Sequence, residues 1–231
     1  YRIIAIDRPG LGWSDSWGDA DSDPRAQARI LQQVVAQLGV SRPIVLGHSY
    51  GGAVAMAWAL EAPDDTAAVV LLAGATYPWP GRLGFWYRFN EGPLGPSGRL
   101  LLAALVPENA ARRVVEVIFR PHPVPEGYTA HFGTGLSMRR ASQAANNRQI
   151  NALSGYLEEM APGYGALTLP VEVIHGDADT IVGLEIHSAR LVDDVASARL
   201  TRLDGAGHMP HHSHPDAVVE ALARARSRAG L

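Results

Sequence analysis

Short apolar runs along this chain alternate with stretches whose apolar residues recur at helical spacing. Residues 1–6 read as a buried strand, and the Pro and two Gly residues within Asp7-Arg8-Pro9-Gly10-Leu11-Gly12 mark a loop. Residues 24–38 place Ile30, Leu31, Val34, Val35 and Leu38 on one helix face, and Gly39 stops it. The run Pro43-Ile44-Val45-Leu46 predicts a strand that enters a sharp turn, followed by a small-residue helix over 53–60 and a strand over 67–73. From Thr76 to about Gly165 the strand runs disappear, Pro and Gly punctuate, and aromatics gather at Trp79, Phe85, Trp86, Tyr87 and Phe89. Helices are expected there at 97–106, 110–119 and 136–160. The strand rhythm resumes at 171–174, with a helix near 184–195, a strand at 198–203 and a closing helix at 215–226.

Strands that alternate with helices predict an α/β fold, a mostly parallel sheet covered by helices on both faces. Such a sheet carries its chemistry at the carboxyl ends of its strands. The expected organisation is a core in two parts, residues 1–75 and 166–231, with a helical insertion at 76–165 lying over the sheet.

The strand-to-helix turn contains Gly47-His48-Ser49-Tyr50-Gly51, a G-x-S-x-G pattern with Ser49 at its apex. Between a strand and a helix this pattern forms a nucleophile elbow. Side chains at Gly47 and Gly51 are expected to collide in so tight a turn, and Ser49 is expected to be strained. A serine is a weak nucleophile, so it needs a base within hydrogen-bond reach and a carboxylate to orient that base. Two loops after later strands offer these groups, His175-Gly176-Asp177-Ala178-Asp179 and Asp204-Gly205-Ala206-Gly207-His208. The chain order is therefore Ser, acid, His. Asp177 is expected to brace its turn, His175 to satisfy a local hydrogen bond, His48 to pack, and Asp7 with Arg8 to brace their loop as a pair. The tract His211, His212, His214 precedes a helix and is expected to be solvated rather than to bind metal.

Four segments, D-R-P-G-x-G-x-S at Asp7 to Ser14, the elbow, G-x-x-D at Gly176 to Asp179 and G-x-G-H at Gly205 to His208, together resemble the α/β-hydrolases, specifically their cap-bearing group. That group includes esterases, C–C bond hydrolases, epoxide hydrolases and haloalkane dehalogenases. The resemblance puts the triad acid on Asp179 and the base on His208. A serine at the apex points away from the epoxide hydrolases and dehalogenases, which carry Asp there. The implied reaction is two-step acyl transfer through Ser49, without metal or organic cofactor, with the Tyr50 backbone N–H as one oxyanion donor. The main reading is hydrolysis of a carboxylic ester of a small or medium apolar substrate. Cleavage of a C–C bond beside a ketone, cofactor-free perhydrolysis or acyl transfer, and a non-catalytic ligand-binding homologue stand as alternatives. The resemblance makes the insertion a cap. Trp79, Trp86 and Phe89 then either line the substrate site or form the cap's own core, and Arg148 either meets a substrate carboxylate or belongs to a solvated face.

Composition narrows the partners. Lys plus Arg number 20 against 23 Asp plus Glu, a net charge of −3 without a long basic run, which argues against a nucleic-acid surface. There is no Cys, so disulfides and thiolate sites are excluded. No apolar stretch reaches membrane-spanning length, and a small-molecule substrate and a cytoplasmic location are expected. In the family pattern an H-G motif upstream of the elbow supplies the second oxyanion donor, whereas the one His-Gly pair here is His175-Gly176. The chain is therefore expected to be a fragment lacking about 30 to 60 residues, including a strand between residues 1–6 and the elbow strand. Alone it is expected to be weakly active and poorly stable.

Overall fold

The structure, a computed structural model, describes residues 1–81, 108–137 and 139–231. Its sheet has four parallel strands in the order β1 (Ile44–His48), β2 (Ala68–Leu72), β3 (Val171–Gly176), β4 (Ala198–Leu203). Ile44 lies opposite Ala68, Val69 opposite Val171, and Val171 opposite Ala198. β2 is Ala-Val-Val-Leu-Leu and wholly buried, as a strand covered on both faces must be. Alternate residues serve the two faces. Val69 and Leu71 join Val171 and Val173 in a core with α1 (Pro24–Gln37) and α2 (Tyr50–Glu61). Ala68, Val70 and Leu72 join Ile174 in a second core with α9 (Pro215–Arg228). Helices on both faces of a parallel sheet are the expected fold class.

Local chemistry sets the element ends. Asp23 accepts a hydrogen bond from the Arg25 N–H at 2.8 Å, and Pro24 opens α1 where its missing N–H costs nothing. α2 is buried from Gly52 to Ala59, and its alternating Ala residues let it lie close between the sheet and its neighbours. At the other face, Glu172 on β3 is fully buried and accepts from Arg224 at 2.9 Å and Arg228 at 2.6 Å, which ties α9 to the sheet. Between β2 and β3 run α3 (Glu108–Phe119), α4 (Tyr128–Phe132), α5 (Thr134–Ser137) and α6 (Arg140–Met160). α6 places Leu153, Leu157 and Met160 in the first core. After β3 a π-helical turn, Glu185–Ala189, leads into the short α7 (Arg190–Asp194), and after β4 α8 (Pro210–Ser213) precedes α9. The helix expected over 97–106 lies outside the described residues.

Two expectations need correction. Residues 1–6 are not a strand: Tyr1 is 78% and Ile3 86% exposed, and among the described residues no strand pairs with them. Apolar sequence makes a strand only where a neighbour takes up its N–H and C=O groups. β1 is instead the sheet edge, with Leu46 44% exposed. The stripe on α1 is also less buried than its spacing suggests, since Leu38 is exposed and Leu31 and Val35 pack only partly against the core.

Candidate active site

β1 ends at His48 and α2 begins at Tyr50, so Ser49 alone makes the reversal. Its φ of 53° and ψ of −120° lie where residues with a side chain are strained. Three backbone hydrogen bonds hold it there: Ser49 N–H donates to Leu72 O at 3.1 Å, and Ser49 O accepts from Gly52 at 2.9 Å and Ala75 at 3.0 Å. A Cβ at Gly47 would run into the Gly51 carbonyl, as expected. At Gly51, however, a Cβ would meet nothing within 4 Å, whereas one at Gly52 would come within 2.6 Å of Gly74 Cα. The second steric requirement therefore sits at Gly52, where α2 presses on the chain leaving β2.

The Tyr50 N–H opens the 12-residue α2 and belongs to the first turn, whose N–H groups have no partner within the helix. That is the state an oxyanion donor requires. The Tyr50 side chain turns inward, donating to Ser22 O at 3.1 Å and accepting from Gln27 Nε2 at 3.2 Å.

Asp179 and His208 meet. Asp179 Oδ2 accepts from His208 Nδ1 at 2.8 Å, and the carboxylate is fully buried. Its Oδ1 accepts from the N–H groups of Ile181 at 2.8 Å and Val182 at 3.0 Å, and Oδ2 also accepts from His175 Nε2 at 3.2 Å. Burial pushes the Asp179 carboxyl up, but the hydrogen bonds from His175 and His208 outweigh it and hold the group below the usual carboxylate range. Asp177 accepts from Gly205 N–H at 2.7 Å, so it braces the loop after β3 against the loop after β4. A Cβ at Gly176 would strike the Ala206 carbonyl, which lets the two loops approach.

With His208 Nδ1 committed to Asp179, Nε2 is the nitrogen left to exchange a proton. The His208 backbone carbonyl lies 2.8 Å from His48 Nε2, and the two rings are 4.8 Å apart. His48 directly precedes Ser49, so this bond ties the loop of His208 to the turn of Ser49. Burial, and then the proximity of His208, pushes His48 down to about 3, leaving it a neutral donor. His211 meets the His48 ring edge-on at 4.7 Å and is pushed down to about 4, chiefly by burial. The tract beginning at His211 is thus partly folded into the site, contrary to the solvated expectation, because α8 turns it back over β1. Among the described residues no group of three His, Asp or Glu side chains is arranged to hold a metal ion.

Other expected residues make their contacts elsewhere. Trp79 packs against the first core and meets the His187 ring edge-on at 6.2 Å. His187, missed in the sequence, accepts from the N–H groups of Thr76 and Tyr77 at 3.1 Å each and so fastens the chain leaving β2. Arg148 on α6 donates to Ser16 Oγ at 2.9 Å and lies 3.8 Å from Asp21 and 3.9 Å from Asp19. Asp7 and Arg8 do not pair. Asp7 accepts from Trp13 N–H at 3.0 Å, while the Arg8 guanidinium lies 4.3 Å over the Tyr50 ring and donates to Gln27 at 3.0 Å and Gln149 at 2.7 Å. Neither glutamine has a sequence signal beyond its place on a helix. Trp86 and Phe89 lie outside the described residues.

A parallel sheet with a strained serine between its edge strand and a helix, and a buried Asp–His pair on two later loops, is the architecture of an α/β hydrolase. The alpha/beta hydrolase family model matches residues 1–221, and the chain belongs to that family. It is 29% identical over 234 residues to a 2-hydroxy-6-oxononadienedioate/2-hydroxy-6-oxononatrienedioate hydrolase of Klebsiella pneumoniae, covering 97% of this chain and 77% of the relative. A hydrolase of the same name from Cupriavidus pinatubonensis is 27% identical over 228 residues, covering 94% of this chain and 73% of the relative. Among solved structures, the 2-hydroxy-6-oxo-6-phenylhexa-2,4-dienoate hydrolase of a Rhodococcus strain superposes with a TM-score of 0.73 at 20% identity, covering 95% of this chain and 77% of that one. An esterase from Exiguobacterium antarcticum gives a TM-score of 0.71 at 18% identity, covering 96% and 80%. The protein is an enzyme of the α/β-hydrolase class, and no helix among its described residues is long and apolar enough to cross a membrane.

Proposed function

We propose that this chain hydrolyses a carbon–carbon bond beside a ketone in a small vinylogous diketone, through an acyl-enzyme on Ser49. The observation that carries the reading is the His208 Nδ1 to Asp179 Oδ2 hydrogen bond, made between two loops at the carboxyl ends of β3 and β4, with Ser49 at the carboxyl end of β1. The names of the sequence relatives supply the substrate class.

Ser49 Oγ attacks the ketone carbon as His208 Nε2 takes its proton, and Asp179 stabilises the imidazolium. The Tyr50 N–H, at the positive end of α2, meets the oxyanion. Collapse breaks the C–C bond; the electron pair leaves as a conjugated enolate and takes a proton from His208. Water, deprotonated by the same ring, then releases the acid from Ser49. In this reading the helices α3 to α6, between β2 and β3, serve as the cap.

Ester hydrolysis at the same residues is the second reading. What favours it is Arg148, which donates to Ser16 Oγ and lies beside Asp19 and Asp21, so that its charge is directed at the loop around residues 16–21. A panel of p-nitrophenyl esters set against a vinylogous diketone separates the two. Faster turnover of the diketone supports C–C cleavage, and turnover of esters alone replaces it with the ester reading.

A further inference from the structure

His175 is fully buried and both of its ring nitrogens are engaged. Nε2 lies 2.9 Å from the Val182 carbonyl oxygen and 3.2 Å from Asp179 Oδ2, while Nδ1 lies 2.6 Å from Ser188 Oγ. A carbonyl and an ionised carboxylate can only accept, so Nε2 carries the proton, and in the neutral ring Nδ1 accepts from the Ser188 hydroxyl. The result is a line of four groups in which Asp179 Oδ2 receives an imidazole N–H on one side and, on the other, a share of an N–H forked between it and the Val182 carbonyl. The first comes from His208 and the second from His175.

We propose that His175 is a positioning residue for the triad acid: its Nε2–H fixes the rotation of the Asp179 carboxylate and draws charge from the oxygen that faces His208. Two donors to one oxygen share its negative charge, so each bond is weaker than it would be alone. Asp179 thus holds the His208 imidazolium less tightly than a carboxylate with one imidazole partner would. Ser188 acts one step further out, because a hydroxyl donating to Nδ1 makes Nε2–H the better donor. The other ionisable groups near His175 are His187 on the adjoining turn, and Arg202 opposite it in the β4 register. Arg202 is half exposed and paired with Asp177 and Glu185, so it does not substitute for the His175 donor.

The proposal rests on the Ser49–His208–Asp179 reading, and its test separates the two. The rate at which a fluorophosphonate labels Ser49 is measured from pH 5 to 9 for the native sequence, His175→Phe, His175→Gln and Ser188→Ala, beside thermal melts. The probe requires no knowledge of the substrate. In His175→Phe the maximal rate should fall about 10- to 100-fold, the range seen when the hydrogen-bond partners of metal-site ligands are removed, and the acidic limb should move to higher pH by about half a unit. Ser188→Ala should shift the limb in the same direction by less. His175→Gln, whose amide N–H can reach the same oxygen, should restore it. A limb that stays in place in Ser188→Ala and His175→Phe, with only the melting temperature lowered, overturns the proposal and leaves the triad standing. If His175→Phe does not fold, an unmoved limb in Ser188→Ala overturns it equally. Absence of Ser49 labelling in the native sequence overturns the triad reading itself, and this inference with it.

Discussion

Asp179 Oδ2 and His208 Nδ1 are 2.8 Å apart although 29 residues separate them in the chain. The contact exists because β3 and β4 are adjacent and parallel, so the loops leaving them emerge side by side. Gly176 then removes the side chain that would hold those loops apart. Asp179→Asn keeps the side chain's shape, so the variant should fold, with some loss of stability because the ionised group is held below the usual carboxylate range, while the proposed chemistry suffers most. Asp179→Asn should lower kcat by about 10⁴-fold, and Ser49→Ala or His208→Ala by at least as much. Asp177→Asn, which loses one bond to Gly205, should stay within about tenfold. Steady-state kinetics with circular dichroism on each variant checks this, and a severe Asp177→Asn beside a mild Asp179→Asn would reassign the acid.

The elbow makes a prediction about three neighbouring glycines. Gly52→Ala and Gly47→Ala place a methyl against backbone and should each cost about 1–3 kcal/mol. Gly51→Ala faces open space inside a helix and should change stability by less than about 1 kcal/mol. Urea titrations give the comparison directly. Equal losses at Gly51 and Gly52 would contradict the packing of α2 described above.

Acid should destabilise the fold before the carboxylates titrate. Burial, and secondarily His175, pushes His187 down to about 4 from an ordinary 6.5, and its Nδ1 must stay unprotonated to accept from Thr76 and Tyr77. Between those two values the unfolded chain binds a proton that the folded chain refuses. Stability is therefore full above pH 6.5 and falls as the pH drops toward 4, by up to about 3 kcal/mol for this residue. His48 and His211 act in the same direction, and Asp179, held below the usual carboxylate range, adds its loss only at lower pH. Melts at pH 7.5, 6 and 4.5 should show the decline, and His187→Asn, which keeps an acceptor, should flatten it. A pH-independent melt, or an unchanged slope in His187→Asn, would count against this account.

Arg148 should behave as part of the seam between α6 and the loop around residues 16–21. Arg148→Gln loses the Ser16 bond and the approach to Asp21, and should lower the melting temperature. It should raise KM no more for substrates bearing a carboxylate than for neutral ones. A selective rise in KM for the anionic substrates would return Arg148 to substrate binding.

Strand and helix positions were legible wherever burial followed from the pattern. Residues 198–203 and the start of α9 fall where alternation and Pro215 put them, and Ser49, Asp179 and His208 each sit in a loop with its own glycine signature. What could not be read was pairing at a distance. Residues 1–6 have a strand's composition but no strand beside them among the described residues, and nothing local distinguishes a paired apolar run from an unpaired one. His48 read as packing and His175 as local bonding, and His187 gave no signal at all, since their partners, His208 O, Ser188 and the Thr76 and Tyr77 N–H groups, become neighbours only once the sheet has formed. The inward turn of Arg8 was hidden likewise, because Gln149 lies 141 residues away.

The central claim is that Ser49 is the nucleophile that His208 activates. The most direct measurement is peptide mapping by mass spectrometry after brief exposure to a fluorophosphonate, in the native sequence, Ser49→Ala and His208→Ala. The account predicts one adduct, on Ser49 in the native sequence, none in Ser49→Ala, and labelling slowed at least about 100-fold in His208→Ala. An adduct on another residue, or undiminished labelling without Ser49 or His208, would contradict it.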